Sequence, residues 1–211
     1  MLDTRLIPSA IPNSRRLMVV LHGLGDSMDG YEWLPAALQL PWLNYLLVNA
    51  PDPYYGGYSW FDFMGDATSG IRRSRRMIFD LLDNQQHQGF PADQILLFGF
   101  SQGGTMTLEV GLRYRQVLAG GIGISGFVVD LEELISERSA IANQQRFLVT
   151  HGRRDPLLPF AEVKRQIARL QAEGMAIVWR EFDKEHTIAG DEEITVIREY
   201  IDACYRLGNR G

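Results

Sequence analysis

Short runs that are apolar at nearly every position alternate along this chain with longer stretches of helical spacing, and that alternation leaves few folds open. Leu17 to Leu21, Tyr45 to Val48, Ile95 to Phe98, Gly120 to Ile124, Phe147 to Thr150 and Ile177 to Phe182 predict strands. Several lack the in-out alternation of a half-wetted strand, so they belong to a parallel sheet covered on both faces. Between them, Glu32 to Leu40, Ile71 to Gln88, Gly103 to Arg113, the short piece Leu131 to Ser136, Ala161 to Glu173 and Glu192 to Leu207 carry a helical period. The expected fold is α/β, a mostly parallel central sheet with helices on both faces. Thr4 to Ile7 is a weaker, edge-strand candidate, because Pro8 and Pro12 follow closely. At 211 residues and 45% hydrophobic, the chain can bury its core as one domain, 1–211.

A formal net charge of -5 argues against a nucleic-acid partner, which needs a basic face. The one basic cluster, Arg72-Arg73-Ser74-Arg75-Arg76, interleaves with Ile71, Met77, Ile78, Leu81 and Leu82 and reads as the solvated face of an amphipathic helix. A single cysteine, Cys204, shares helical spacing with Ile197 and Ile201 and reads as a core residue. No Cys/His cluster has metal-ligand spacing, so no metal is expected. No apolar run approaches the ~20 residues of a membrane span. A cytoplasmic protein is the expectation.

Ligands of open parallel sheets collect at the carboxyl ends of the strands, and the polar motifs stand there. Gly99-Phe100-Ser101-Gln102-Gly103 follows the run ending at Phe98, and its flanking glycines suit a turn sharp enough to lift a serine hydroxyl clear of the sheet. A serine hydroxyl needs a neutral imidazole to take its proton and a carboxylate to aim that imidazole. In this architecture the partners follow in the order serine, acid, histidine. That excludes His22 and His87, which precede Ser101; His151 precedes the acid of its own loop, Asp155. His186 satisfies the order, leaving His22 and His151 as structural histidines and His87 as exposed. Among the acids, Asp130 suits the N-cap of the short helix, and Asp183 lies close to His186 in the chain. Asp155, in a loop held by the following Pro156 and Pro159, is favoured. Two backbone N–H groups complete the expectation as an oxyanion hole: that of Gln102, at a helix start, and that of Leu24, between Gly23 and Gly25.

Leu21-His22-Gly23-Leu24-Gly25-Asp26, Gly99-Phe100-Ser101-Gln102-Gly103-Gly104, His151-Gly152-Arg153-Arg154-Asp155-Pro156-Leu157-Leu158-Pro159 and Glu185-His186-Thr187-Ile188 together resemble the phospholipase/carboxylesterase family, which includes the acyl-protein thioesterases. The resemblance runs from about Pro8 to the last helix. It implies an α/β-hydrolase fold and hydrolysis of acyl esters, lysophospholipids or S-acyl thioesters by Ser101, Asp155 and His186, with Leu24 and Gln102 as oxyanion donors. It further implies Trp60, in Ser59-Trp60-Phe61-Asp62, as acyl-site lining, with Leu24 and Leu157 beside it. No cofactor is implied, and no insertion is long enough for a large lid. The aromatic loop Pro51 to Gly65 and the segment Phe127 to Ile135 are candidate apolar walls. The partner expected is a small-molecule ester or thioester, or an acylated protein, and the chain itself a monomer or weak homodimer. The rival readings are a non-catalytic binding protein on the same scaffold, betrayed by a missing triad position, and a serine peptidase, betrayed by amide cleavage.

Overall fold

The computed structural model describes residues 1–207; the end of the expected domain, 208–211, lies outside the described residues. Strands β1 (Thr4–Ile7), β2 (Leu17–Leu21), β3 (Asn44–Val48), β6 (Ile95–Phe100), β7 (Gly120–Ile124), β8 (Arg146–Gly152) and β9 (Ala176–Phe182) form one seven-stranded sheet in the order β1-β3-β2-β6-β7-β8-β9. All neighbours are parallel except β1, which runs antiparallel to β3 at the edge. β4 (Asp52–Tyr54) and β5 (Gly57–Ser59) make a separate antiparallel hairpin.

Alternate residues of the central strands feed two cores. Leu17, Val19, Leu21 and Leu97 pack against α2 (Ala67–His87) and α3 (Gln102–Gly111). Met18, Val20, Leu96 and Phe98 face α1 (Leu34–Leu38) and α6 (Gly190–Leu207), where Cys204 joins Ile197 and Ile201 as expected. A third cluster joins α4 (Leu131–Ser136) and α5 (Phe160–Ala172) to β8 through Leu134, Val163, Ile167 and Val149. Emptying one such site, Phe98 for instance, costs about 3–5 kcal/mol.

The helix expected over Glu32 to Leu40 is only the short α1, preceded by a 3-10 turn at Met28–Tyr31. It stops because Gln39 is left-handed, at φ 52°, with Pro41 behind it. Helix α2 begins earlier than expected, because the Asp66 carboxylate accepts the Ser69 N–H at 3.0 Å and caps it. On α2, Arg72, Arg73 and Arg76 are exposed as a solvated face requires, but Arg75 turns inward to Glu109 and Glu137. The loop expected at Pro51 to Gly65 contains the hairpin β4–β5, whose two-residue turn places both Tyr55 (φ 42°) and Gly56 (φ 90°) in the left-handed region.

Candidate active site

Every motif of the sequence arrives at the carboxyl edge of β2, β6, β8 and β9. Strand β6 runs into α3 through Ser101, whose φ of 53° and ψ of -117° lie outside the ordinary allowed regions. Sterics explain the glycines around it. A Cβ on Gly99 would sit 2.0 Å from the Gly103 carbonyl oxygen, and one on Gly103 2.0 Å from that of Leu21. The Ser101 N–H donates to Ile124 O at 2.8 Å, which ties the turn to β7.

The Ser101 hydroxyl lies 2.8 Å from His186 Nε2, and His186 Nδ1 lies 2.7 Å from Asp155 Oδ2. The other carboxylate oxygen of Asp155 accepts the N–H groups of Leu157 (3.0 Å) and Leu158 (2.9 Å), so the acid is held from both sides. Burial alone would push the Asp155 carboxyl up, but the Leu158 N–H, the His186 imidazole and the Leu157 N–H together hold it below the usual carboxylate range. Asp183 is not at the site; its carboxylate pairs with Arg154 at the surface. Asp130 caps α4 through the Glu133 N–H, as expected.

The loop after β2 carries Leu24 to the same place. Hairpin β4–β5 grips that loop: the Gly25 N–H donates to Tyr58 O and the Tyr58 N–H to Asp26 O, both at 2.9 Å. So close is the approach that a Cβ on Gly57 would lie 2.2 Å from Gly25 O. Among the described residues the Leu24 N–H has no protein acceptor, and the Gln102 N–H opens the first turn of α3, where N–H groups lack intrahelical partners. The Gln102 side chain is occupied elsewhere. Its oxygen accepts from Ser59 Oγ and the Trp60 N–H, and its amide donates to Phe61 O, so only its backbone is left for an anion. Nothing in the sequence pattern announced that anchor.

Ser101, His186, Leu24 and Gln102 open onto a cavity of about 410 Å³. Its walls are Phe63, Phe100, Phe127, Leu157 and Leu158. Leu157 is 66% exposed at its rim. Trp60 does not line it, contrary to expectation. It is fully buried, its indole N–H donates to His22 O at 2.9 Å, and it packs against the His22 ring. A tryptophan's polar edge finds a carbonyl when buried, and here that bond turns the ring into the core beneath the oxyanion loop. Phe63 and Phe127 form the wall instead, edge to face with centroids 6.0 Å apart.

His22 and His151 take the structural places expected of them. The His22 Nδ1–H donates to Gly23 O, Nε2 accepts the Ala50 N–H, and burial lowers the imidazole below its ordinary value. His151, equally buried, donates from Nε2 to Leu158 O at 3.0 Å; burial again keeps it low. His87 is exposed. Lys184, which the sequence shows only as a polar neighbour of His186, is buried and holds both Glu193 oxygens at 2.7 and 2.8 Å, while Glu193 also accepts from Thr150 Oγ1 and the Ala189 N–H. This network brackets the loop that carries His186.

Residues 3–205 match the family model described as Phospholipase/Carboxylesterase. Acyl-protein thioesterase 1 of Schizosaccharomyces pombe is 33% identical over 159 residues, 67% of this chain and 69% of that protein. Acyl-protein thioesterase 1 of Gibberella zeae is 26% identical over 93% of this chain and 95% of its own length. Among solved structures, esterase PE8 superposes with a TM-score of 0.84 at 26% identity, covering 96% of this chain and 99% of that one. The Bacillus cereus carboxylesterase shares the fold with a TM-score of 0.82 at 16% identity, covering 97% of this chain and 95% of that one.

Proposed function

The chain belongs to the phospholipase/carboxylesterase family, and from that membership we propose that Ser101 is its nucleophile, His186 its general base and acid, and Asp155 the carboxylate that aims the imidazole. The enzyme is a serine hydrolase of carboxylic esters and thioesters. The observation that carries the residue roles is the unbroken hydrogen-bonded line from Ser101 Oγ through His186 to Asp155.

Ser101 Oγ attacks the acyl carbonyl carbon while its proton passes to His186 Nε2. The imidazolium that forms is stabilised by an Asp155 carboxylate already held in its charged form. The carbonyl electron pair moves onto oxygen, where the N–H groups of Leu24 and Gln102 receive it. On collapse the bond to the alcohol or thiol breaks, and His186 returns the proton to the departing atom. Water then repeats the sequence on the acyl-enzyme, releasing the acid and restoring Ser101. The acyl chain lies along Phe63, Phe127, Leu157 and Leu158.

The substrates proposed are small acyl esters and thioesters, including lysophospholipids and the S-acyl groups of proteins, in line with the thioesterase names of two relatives. The proposal also takes 1–211 as one catalytic domain, a monomer or weak homodimer in the cytoplasm. No helix among the described residues is long and apolar enough to cross a membrane, and the single cysteine suits a reducing compartment.

A fluorophosphonate probe tests the assignment. Wild-type protein is expected to be labelled on Ser101 and Ser101→Ala to take no label; label retained by the variant would move the nucleophile elsewhere.

A further inference from the structure

His186 has two open sides. One faces the apolar cavity already described. The other faces a second cavity of about 420 Å³ that shares Asp26, Phe100 and His186 with the first and continues along Trp33, Thr187 and Ile188. A tetrahedral adduct on Ser101 must direct its oxyanion at Leu24 and Gln102, its acyl chain into the apolar cavity and its leaving atom at His186 Nε2. The remainder of the leaving group then extends past His186, into the second cavity.

The charge there is one-sided. Among the described residues lining the two cavities, Asp26 alone carries a permanent charge, and it lines both. Its carboxylate accepts the Ser27 N–H and has no cationic partner among the described residues, whereas Asp29 and Glu32 nearby share Arg5. Trp33, 41% exposed, lines the second cavity, its indole N–H donating to Gly30 O at 2.8 Å. The first turn of α6, whose N–H groups would otherwise welcome an anion, is filled by Asp191, Glu192 and Glu193. A carboxylate beside an aromatic face is the combination that holds a cation, by Coulomb attraction and by the ring quadrupole.

We propose that this second cavity is the leaving-group subsite and that Asp26 and Trp33 make it select an alcohol or thiol bearing a positive charge near its leaving atom over a neutral or anionic one. The inference rests on the roles of Ser101 and His186 given above, and it concerns selection, not the chemical step. Asp26 and Trp33 are specificity residues.

The test is a series of butyrate esters with the acyl group held constant: the choline ester, its uncharged 3,3-dimethylbutyl isostere, and the ester of 2-hydroxyethanesulfonate. The expected order of kcat/KM is cation over neutral over anion, with about five- to ten-fold per step at low salt, the scale of one charge pair at a half-solvated site. Asp26→Asn keeps the acceptor for the Ser27 N–H and is expected to compress the series to within about two-fold. Trp33→Leu is expected to lower the choline ester relative to its isostere. The choline preference of the wild type is also expected to shrink as salt rises from 20 to 500 mM, a reading that needs no variant to fold. A flat series, or a preference that neither salt nor Asp26→Asn changes, overturns the subsite. Fluorophosphonate labelling run in parallel separates the two failures: label lost in Ser101→Ala with a flat series removes only the subsite, while label retained removes the triad beneath it.

Discussion

Two histidines approach the same carboxylate oxygen, and only one stands at the Ser101 hydroxyl. His186 Nδ1 lies 2.7 Å from Asp155 Oδ2, and His151 Nε2 lies 3.7 Å from it. His151 belongs to β8, stacks on Trp179 and gives its ring N–H to Leu158 O. Its other nitrogen, Nδ1, has no partner among the described residues. His186 stands on the loop between β9 and α6, with its side chain 13% exposed, one nitrogen for the acid and one for the serine. A strand position is rigid but leads into the core; a loop position reaches the substrate and must be held by something else. Here the holding group is the buried Lys184–Glu193 pair.

The comparison breaks most sharply in turnover. His186→Ala is expected to lower kcat by about 10⁴- to 10⁶-fold, the scale of losing a triad base, while His151→Phe stays within about ten-fold; steady-state ester hydrolysis measures both. Comparable losses in the two variants would erase the distinction between them. Asp155→Asn, which leaves an amide facing both imidazoles, is expected to cost on the order of 10⁴ in kcat. A loss under ten-fold would assign the aiming of His186 to another group.

How far this contrast could be read from the chain depended on how local its cause was. Strands Leu17–Leu21 and Gly120–Ile124 form over the residues expected, because a run of apolar or glycine residues that ends at a polar one, His22 or Ser125, has few other uses. The Asp130 cap was equally local. The partners of Ser101 were legible because chain order is a property of the fold's topology, not of distance. Trp60 was not legible: its burial depends on the carbonyl of His22, far away in sequence, whereas the cavity wall is formed by Phe63 and Phe127. The hairpin within the aromatic loop hid behind Tyr55, a residue that rarely adopts a left-handed φ. Lys184 and Glu193 look like ordinary surface charges until α6 packs back over β7 and β8. Only the long-range register buries them.

That pair gives the next effect in size. Burial lowers the Lys184 ammonium, and Glu193 and Asp155 oppose the fall. Lys184→Met would strand a buried carboxylate, at a cost of about 3–5 kcal/mol, or roughly 6–20 °C in Tm for a domain of this size. Adding Glu193→Leu removes the stranded charge and is expected to return most of that loss. If the strand histidine needs no such anchor and the loop histidine does, Lys184→Met also lowers kcat in the fraction that stays folded, read at a temperature well below its melt. Unchanged melting in thermal denaturation would show that the pair contributes nothing to holding the loop.

The smallest effect isolates the strand histidine. His151→Phe keeps an aromatic ring against Trp179 but leaves Leu158 O without its donor, a loss of about 1–3 kcal/mol. The pH dependence is more telling than the loss. Folding holds the His151 and His22 imidazoles below their ordinary value, so as pH falls through ~6.5 the unfolded chain takes up protons that the folded chain refuses. Stability therefore falls with falling pH, by at most about 1.4 kcal/mol per pH unit for each such histidine. Removing His151 leaves His22 alone, and the slope of unfolding free energy between pH 6.5 and 5.5 is expected to be shallower in His151→Phe than in the wild type. Taking the difference between the two proteins cancels the titrating groups that do not face His151, Glu109 among them, and leaves His151 with its neighbours Asp155, Lys184 and His186. Equal slopes in chemical denaturation would mean that the folded chain takes up a proton at His151 as readily as the unfolded chain does, and burial would not be what holds that ring neutral.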